Sequence, residues 1–469
     1  LISPESSWPI PITRQILPSR LPVATVDRLL YPVKRFLHIE ATSGILLMVC
    51  TVVALVVANS PWHTAFEHFW ETPIAIHWGK FHLEGELGHL LINDALMTIF
   101  FFVVGLEVKR EVVGGELKEF RKALQPIVGA IGGAVTPTLI YFALQRGQPG
   151  ESGWAIPMAT DIAFVIGFLT LFGRRVPFGL KVFLLTLAIV DDLIAVVIIA
   201  TFFSDALNWI WLAWSLAGFA LVYLMNRIGV RALFPYFAVG VAIWLAFHHA
   251  GLHPTLAGVV LGLLTPTKPW IGQRTLMEVF HDFWDRLQAV EGEEEKVPVN
   301  LEQLQFAARE SVSPLHRLEM SLHPWVAFVI MPVFALSNAG VQLEMGALTN
   351  PVAFAVGLGL VLGKPLGILL FCGIAVALKI SRLPEGVNWN LFAGGACLAG
   401  IGFTMALFLT NLAFNDELES LQPAGKIGTL IGSFLSAILG TVILLRGLGG
   451  TEPLISTDGN KNGNKNQNH

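Results

Sequence analysis

Residues Thr186 to Ala200, TLAIVDDLIAVVIIA, set two adjacent carboxylates, Asp191 and Asp192, in the middle of an apolar run that is long enough to cross a bilayer. A single aspartate at the centre of a membrane helix costs roughly 2.5–3.5 kcal/mol on insertion scales. Such groups face a bundle interior or a water-filled cavity, and they mark ion or proton pathways. A soluble core helix with a capped Asp pair is the alternative, and composition argues against it. Charged residues make up 14% of the chain and hydrophobic ones 54%, whereas a soluble domain carries about 25% charged residues. Apolar runs of roughly 17–25 residues recur from Ala41 to Arg446, so the class is an all-α polytopic membrane protein. Cys50, Cys372 and Cys397 all lie in apolar runs. Their odd number argues against a disulfide framework, and their spacing fits no zinc motif.

The stretch from Leu1 to Pro32 is rich in Pro and Arg and has no long apolar core, so it reads as a cytoplasmic tail (1–37) and not as a secretory signal. Hydropathy from His38 onward gives about twelve spans, centred near Val52, Phe101, Gly132, Phe164, Ile194, Ala217, Ile243, Val260, Ile330, Leu360, Phe403 and Leu439. Residues 449–469, which end GNKNGNKNQNH, read as a disordered tail. Basic residues cluster before the first span and after the second, fourth, sixth, eighth and tenth: Lys34 and Arg35, Lys109 to Lys122, Arg174 to Lys181, Arg227 and Arg231, Lys268 to Arg317, Lys379 and Arg382. That alternation follows the positive-inside rule and predicts two cytoplasmic termini. Ile74 to Glu84 alternates apolar and polar residues around Gly79-Lys80 and predicts a β-hairpin on the outer face. An isolated hairpin is marginal in water, so it needs something to pack on, such as a second copy. The cytoplasmic insertion (270–320) contains Thr275 to Ser313, acidic around EGEEEK, which reads as a solvated linker with a short amphipathic helix over Leu301–Glu310.

Asp161, Asp191, Asp192 and Lys364 all lie near the middle of spans. Facing lipid, they would cost on the order of 10 kcal/mol together, so they meet one another or water inside the bundle. Adjacent helical residues point about 100° apart. One of the Asp191–Asp192 pair can then line a cavity while the other meets a neighbouring helix. Lys364, in VLGKPLGI, is the obvious counter-ion. Snorkelling is the competing account, but apolar residues extend well to both sides. Pro157, Thr160 and Asp161, in GWAIPMATDIAFVIGF, predict a helix interrupted at mid-membrane, with Thr160 or Asp161 capping its second half. Gly400-Ile401-Gly402 predicts a second interruption, in Phe392 to Leu412. Glycines used for close helix packing are the alternative there. The two breaks fall in the middle of spans three to five and ten to twelve, corresponding places that point to a transporter site at a repeat interface.

The motifs ATDIAF (159–164), LAIVDDL (187–193), VGLEVKRE (104–111), INDALM (92–97), GKPLGI (363–368) and GIGFTM (400–405) together resemble the bacterial sodium/proton antiporter family NhaA. The likeness covers nearly all of His38 to Arg446. It implies inverted-topology repeats with two interrupted crossing helices. It also implies Asp192 as principal cation ligand, Asp191 beside it paired with Lys364, and Asp161 with Thr160 at the crossing, next to Gly400 and Gly402. Glu107, Arg110, Glu111 and Glu319 would form a pH-sensing group at the cytoplasmic funnel, and His253 in GLHPTLAG matches a histidine linked to pH response. The substrates implied are Na+ or Li+ and protons, with no cofactor, no nucleic-acid partner and no enzyme activity. A homodimer through the outer hairpin, in the bacterial inner membrane, is implied too. His316 stands where a lysine is expected and Met320 where a histidine is expected, and the Thr275–Ser313 insertion is long for the family.

Sodium is a hard cation that takes oxygen ligands. Burial favours a protonated carboxylate and a nearby cation favours an ionised one, so a single buried site exchanges the two ions by competition. The expected activity is electrogenic, pH-regulated export of sodium against entering protons. An intramembrane aspartyl protease would need two carboxylates on facing helices. A sodium-coupled organic-anion symporter would need an anion-binding group, for which Lys364 is the one candidate. A channel would not need paired buried charges.

Overall fold

In hydrocarbon every backbone N–H and C=O must be bonded within its own segment, and helices dominate accordingly. The computed structural model describes residues 40–448 except 79–80, 205–206, 231, 290–296 and 415–417. Both tails, the Gly79-Lys80 hairpin tip and the EGEEEK run lie outside the described residues.

In chain order come α1 (Glu40–Ala58), α2 (His63–Trp70), the strands β1 (Pro73–Trp78) and β2 (Phe81–Glu86), and α3 (Leu87–Gly114), which opens with a π-helical stretch. Then follow α4 (Phe120–Gln145), a 3₁₀ segment (Pro149–Met158) leading into α5 (Ile162–Leu171), α6 (Phe178–Phe202), α7 (Trp209–Ile228), α8 (Leu233–Ala250) and α9 (Thr255–Leu264). The remainder comprises α10 (Gln273–Ala289), α11 (Val297–Glu310), α12 (Pro314–Asn338), α13 (Pro351–Ala377), α14 (Trp389–Leu398), α15 (Phe403–Ala413) and α16 (Gln422–Leu448).

Among the described residues, eight helices are long and apolar enough to cross a membrane, or up to eleven if each of three bent pairs is one span. The pairs are α1 with α2, the 3₁₀ segment with α5, and α14 with α15, bent by 118°, 42° and 45°. Around the expected centre at Val260 the structure has only the ten-residue helix α9. The two strands pair antiparallel, with Trp78 opposite Phe81. Most of Thr275–Ser313 is helical: α11 contains the helix expected over Leu301–Glu310, and α10 is a further, unexpected helix. In α10 the apolar residues recur at helical spacing in a locally charged sequence, so local charge hid a period of 3.6.

The outside of the bundle is apolar. Trp209, Ile210 and Trp214 on α7 are each more than two-thirds exposed, which fits contact with lipid and not with water. Inside, glycines let backbones touch. A Cβ on Gly105 of α3 would stand 2.6 Å from the Val259 carbonyl oxygen of α9. A Cβ on Gly132 of α4 would meet the Gly367 carbonyl of α13 and come within 2.7 Å of Phe371 Cβ. α13 also contains a π turn, Gly359–Gly363, immediately before Lys364. Such turns inside α-helices often mark functional positions.

Helix propensity alone favours Ala over Gly by about 1 kcal/mol, while overpacking costs about 1–3 kcal/mol. Gly132→Ala is therefore expected to lower the thermal denaturation midpoint in detergent. Gly114→Ala, where an added Cβ meets nothing within 4 Å, is expected to leave it unchanged or raise it.

Candidate functional site

The two interrupted spans are bonded to each other at their breaks. Asp161 is the N-cap of α5, its Oδ1 accepting from Phe164 N at 3.2 Å. Its Oδ2 accepts from Thr404 N at 3.0 Å and also from the Thr404 hydroxyl. Asp161 N donates to the Ile401 carbonyl at 2.7 Å, and the Thr160 hydroxyl donates to the Ala399 carbonyl at 3.0 Å. The capping role thus belongs to Asp161, while Thr160 reaches the other span. A Cβ on Gly402 would stand 2.8 Å from the Ala159 carbonyl oxygen, and one on Gly400 would stand 2.5 Å from that of Leu360. α16 closes the far side: Gly402 N donates to Ser433 Oγ at 3.2 Å, and Ser436 Oγ donates to the Leu360 carbonyl at 3.4 Å.

Beside this joint, Lys364 Nζ lies 2.5 Å from Asp191 Oδ2 and donates also to the Met158 carbonyl. Lys364 therefore ties α13 to α6 and to the first interrupted span. Thr160, Asp161, Asp191, Asp192 and Lys364 are all buried, none more than 2% exposed. Asp192 does not face lipid, and it sits in the electrostatic field of Asp191, Glu107, Asp161 and Lys364. The carboxylates differ in what they have left to offer. Both oxygens of Asp161 accept from the protein, while Asp191 Oδ1 is buried without a hydrogen-bond partner. Among the described residues no three His, Cys, Asp or Glu side chains converge as a metal site. A cation here needs hydroxyl or carbonyl oxygens in addition to the two carboxylates.

A second cluster lies near the end of α3. Arg110 pairs with Glu319 of α12, and its Nη2 lies 3.5 Å from Glu111 Oε1. Glu111 Oε2 accepts from Glu116 N at 3.0 Å. Glu107 stands one turn earlier on α3, within the field of Arg110, Glu319 and Glu111. His316 Nδ1 is 3.8 Å from Glu319 Oε2, so this departure from the family pattern falls in the cluster itself. Met320 is exposed. His253 is elsewhere. Gly258 meets Thr98, Gly262 meets Phe102, and Lys109 Nζ donates to the Leu263 carbonyl at 2.6 Å, so α3 and α9 run parallel. His253 is thereby level with Asp94, whose Oδ1 is 3.8 Å from its Nε2. That is about 24 Å along α3 from Arg110. Its Nδ1 is 2.7 Å from Thr255 Oγ1, and its ring meets the edge of Phe408.

Residue-by-residue reasoning gave no role to Thr404, Ser433, Ser436 or the carbonyls of Met158, Ala399 and Ile401. Thr404 was visible as a hydroxyl two residues after Gly402. Ser433 and Ser436 share one face of α16 at i, i+3. The carbonyls carry no side-chain signal.

A polytopic helical protein with ionisable groups buried where two interrupted spans meet has the build of a secondary transporter. The family described as Na+/H+ antiporter 1 matches residues 34–444, and the chain belongs to it. It is 49% identical over 427 residues to the Na(+)/H(+) antiporter NhaA of Rhodopirellula baltica, covering 91% of this chain and 96% of that one. It is 47% identical over 431 residues to the NhaA of Rhizobium meliloti, covering 91% and 97%. To the Na(+)/H(+) antiporter NhaA 2 of Vibrio vulnificus it is 45% identical over 428 residues, covering 91% and 95%.

Removing one partner of a buried ion pair costs about 3–5 kcal/mol, whereas replacing both with apolar groups is often neutral. Lys364→Ala is expected to lower the melting temperature in detergent clearly, and Lys364→Met combined with Asp191→Leu is expected to recover most of the loss. Equal melting temperatures for wild type and Lys364→Ala would contradict the pairing.

Proposed function

We propose that this protein is a secondary antiporter that exports Na+ or Li+ from the bacterial cytoplasm in exchange for external protons, electrogenically and under pH control. The observation that carries the reading is the buried Lys364–Asp191 pair beside Asp192, at the joint of two interrupted spans. Membership of the Na+/H+ antiporter 1 family supports the identity of the ions. Asp192, with the open Oδ1 of Asp191, supplies the cation ligands. Asp161 and Thr160 hold the joint, and their place beside the pair suits them to complete the coordination.

Metal ion and proton contest the same carboxylates. Burial favours the protonated form and an arriving cation favours the ionised one, so occupancy by one ion expels the other. Lys364 adds a second switch. A cation that draws Asp191 away leaves the ammonium with the Met158 carbonyl alone, a poor site for a buried charge, and favours loss of its proton. If more than one proton moves per cation, the membrane potential contributes about 2.3 kcal/mol per net charge per 100 mV.

We place the protein in the inner membrane with both termini cytoplasmic, as the distribution of Lys and Arg supports. Counting each bent pair as one span and α9 as a short one supports about twelve spans. α4 to α6 and α13 to α16 each have an interrupted span between two continuous ones. NhaA proteins are among the transporters built from inverted repeats, and the rocking of one bundle against the other is the associated motion. The β1–β2 hairpin is the proposed contact of a homodimer. Arg110, Glu111, Glu319 and Glu107 form the proposed pH-responsive group, with His253 modulating from the opposite end. No cofactor is needed beyond the transported ions.

Asp192→Asn is expected to abolish sodium-dependent proton movement in everted membrane vesicles while the protein still inserts. Full activity in that variant would remove the central assignment. Labelled sodium uptake into proteoliposomes against a pH gradient, with no organic solute present, is expected to proceed. A strict requirement for an organic anion would identify a symporter instead.

A further inference from the structure

Helix α10 packs on α11, and α11 meets the start of α12 through the Glu310–Arg317 pair. In α10, QRTLMEVFHDFWDRLQA, the residues Leu276, Met277, Val279, Phe280, Phe283 and Trp284 form an apolar arc of about 160°. Leu276, Val279 and Phe283 are half-buried. Met277, Phe280 and Trp284, spaced i, i+3, i+7, remain 63%, 48% and 50% exposed. They make one open stripe along the helix. Glu278, Asp282 and Asp285 lie on the polar face, centred about 140° round the helix from the stripe, and Glu278 Oε1 lies 3.4 Å from Arg274 Nε.

We propose that this stripe is the docking surface for the N-terminal arm of the same chain, residues 8–30. Three observations select that occupant. The described chain begins at the same end of the bundle as the surface. α1 packs on the Val326–Ile330 turn and on Met331–Asn338, and Asn59 just past its end donates to the Val341 carbonyl at 2.9 Å. α1 and α12 therefore run side by side in the same direction. Glu40 lies at the same end of the bundle as Pro314, which follows closely after α11. The arm has the complementary chemistry. It carries Arg14, Arg20 and Arg28 between Ile10, Ile12, Ile16, Leu17 and Leu21, with Asp27 its sole acid. The branched apolar side chains cover the stripe while the long arginine side chains reach round the helix toward the acids of its polar face. Residues 31–39 leave a tether of up to roughly 30 Å ahead of the docked segment, and α10 is about 25 Å long.

A bilayer surface suits the stripe less well. Helices that lie in a membrane interface carry Lys and Arg opposite their apolar face, and the cytoplasmic leaflet is anionic. α10 has three acids against Arg274 and Arg286.

The test is site-specific photo-cross-linking in the full-length protein reconstituted in lipid vesicles, with p-benzoylphenylalanine replacing Trp284. Adducts are mapped by mass spectrometry in a mixture of isotopically light and heavy chains. The expected result is capture of peptides from residues 8–30 within one chain. Capture of lipid, of a second copy or of another segment, or no capture at all, overturns the proposal. Arg14→Glu with Arg20→Glu is expected to lower the adduct yield about fivefold. Adding Asp282→Arg and Asp285→Arg is expected to restore it. An adduct yield that ignores both sets of charges also overturns it. Because the measurement needs no ion gradient, its failure leaves the exchange reading untouched.

Discussion

A lysine with no exposed surface, held to an aspartate with none, is the constraint around which the rest of the bundle is arranged. Taking both charges out of water costs several kcal/mol each, and mutual attraction offsets this only when the remaining donors and acceptors are also met. Lys364 meets its share through the Met158 carbonyl, a group available because the backbone leaves its 3₁₀ segment there. The glycine contacts serve the same end. Gly359 and Gly363 bring α13 against Pro157 and Pro137, and Gly367 meets Gly132. Side chains at these positions would push α13 outward and take the ammonium out of reach of Asp191.

The interruptions have a cost of their own, since each frees backbone groups at a depth without water. Here the two breaks satisfy each other. Asp161 N and the Thr160 hydroxyl use the carbonyls freed at Ile401 and Ala399, and the Asp161 carboxylate uses the amides that open α5 and α15. This divides the labour among the three aspartates. Asp161 spends both oxygens on the joint. The Asp191–Asp192 pair, on an unbroken helix with no proline or glycine after Gly179, keeps an oxygen in reserve. An unbroken helix holds Asp191 and Asp192, and the irregular backbone beside it frees carbonyls.

Much of this was readable from the chain because insertion cost leaves few options. Charges inside long apolar runs announce a buried cluster, and Pro157 or Gly400-Gly402 inside a span announces a break. What stayed hidden was what depends on three-dimensional placement. The seating of His253 against Asp94 and Phe408, far from Arg110, follows from the parallel packing of α3 and α9, and no pattern within either segment encodes it. Thr404 finds Asp161 across 243 positions of chain. α10 was hidden differently, since its charged residues masked a helical period that the apolar side chains plainly keep.

The same packing constrains how a change near the end of α3 can reach Asp192. α3 carries Asp94 near one end and the Arg110–Glu111 cluster near the other, and between them its glycine contacts bind it to α9 from Thr98 to Gly105. Interfaces this tight do not slide by fractions of a side chain, so α3 and α9 shift together or not at all. Glu107 lies one turn from the cluster and within the field of Asp192. On the exchange reading, a change of charge at Glu319 or His316 alters the pull on Arg110. The consequence reaches Asp192 by two routes, the field of Glu107 and any displacement of the paired helices. A field effect grades smoothly with charge, whereas displacement of a packed pair is two-state, and only the second can open a site whose every ionisable member is buried.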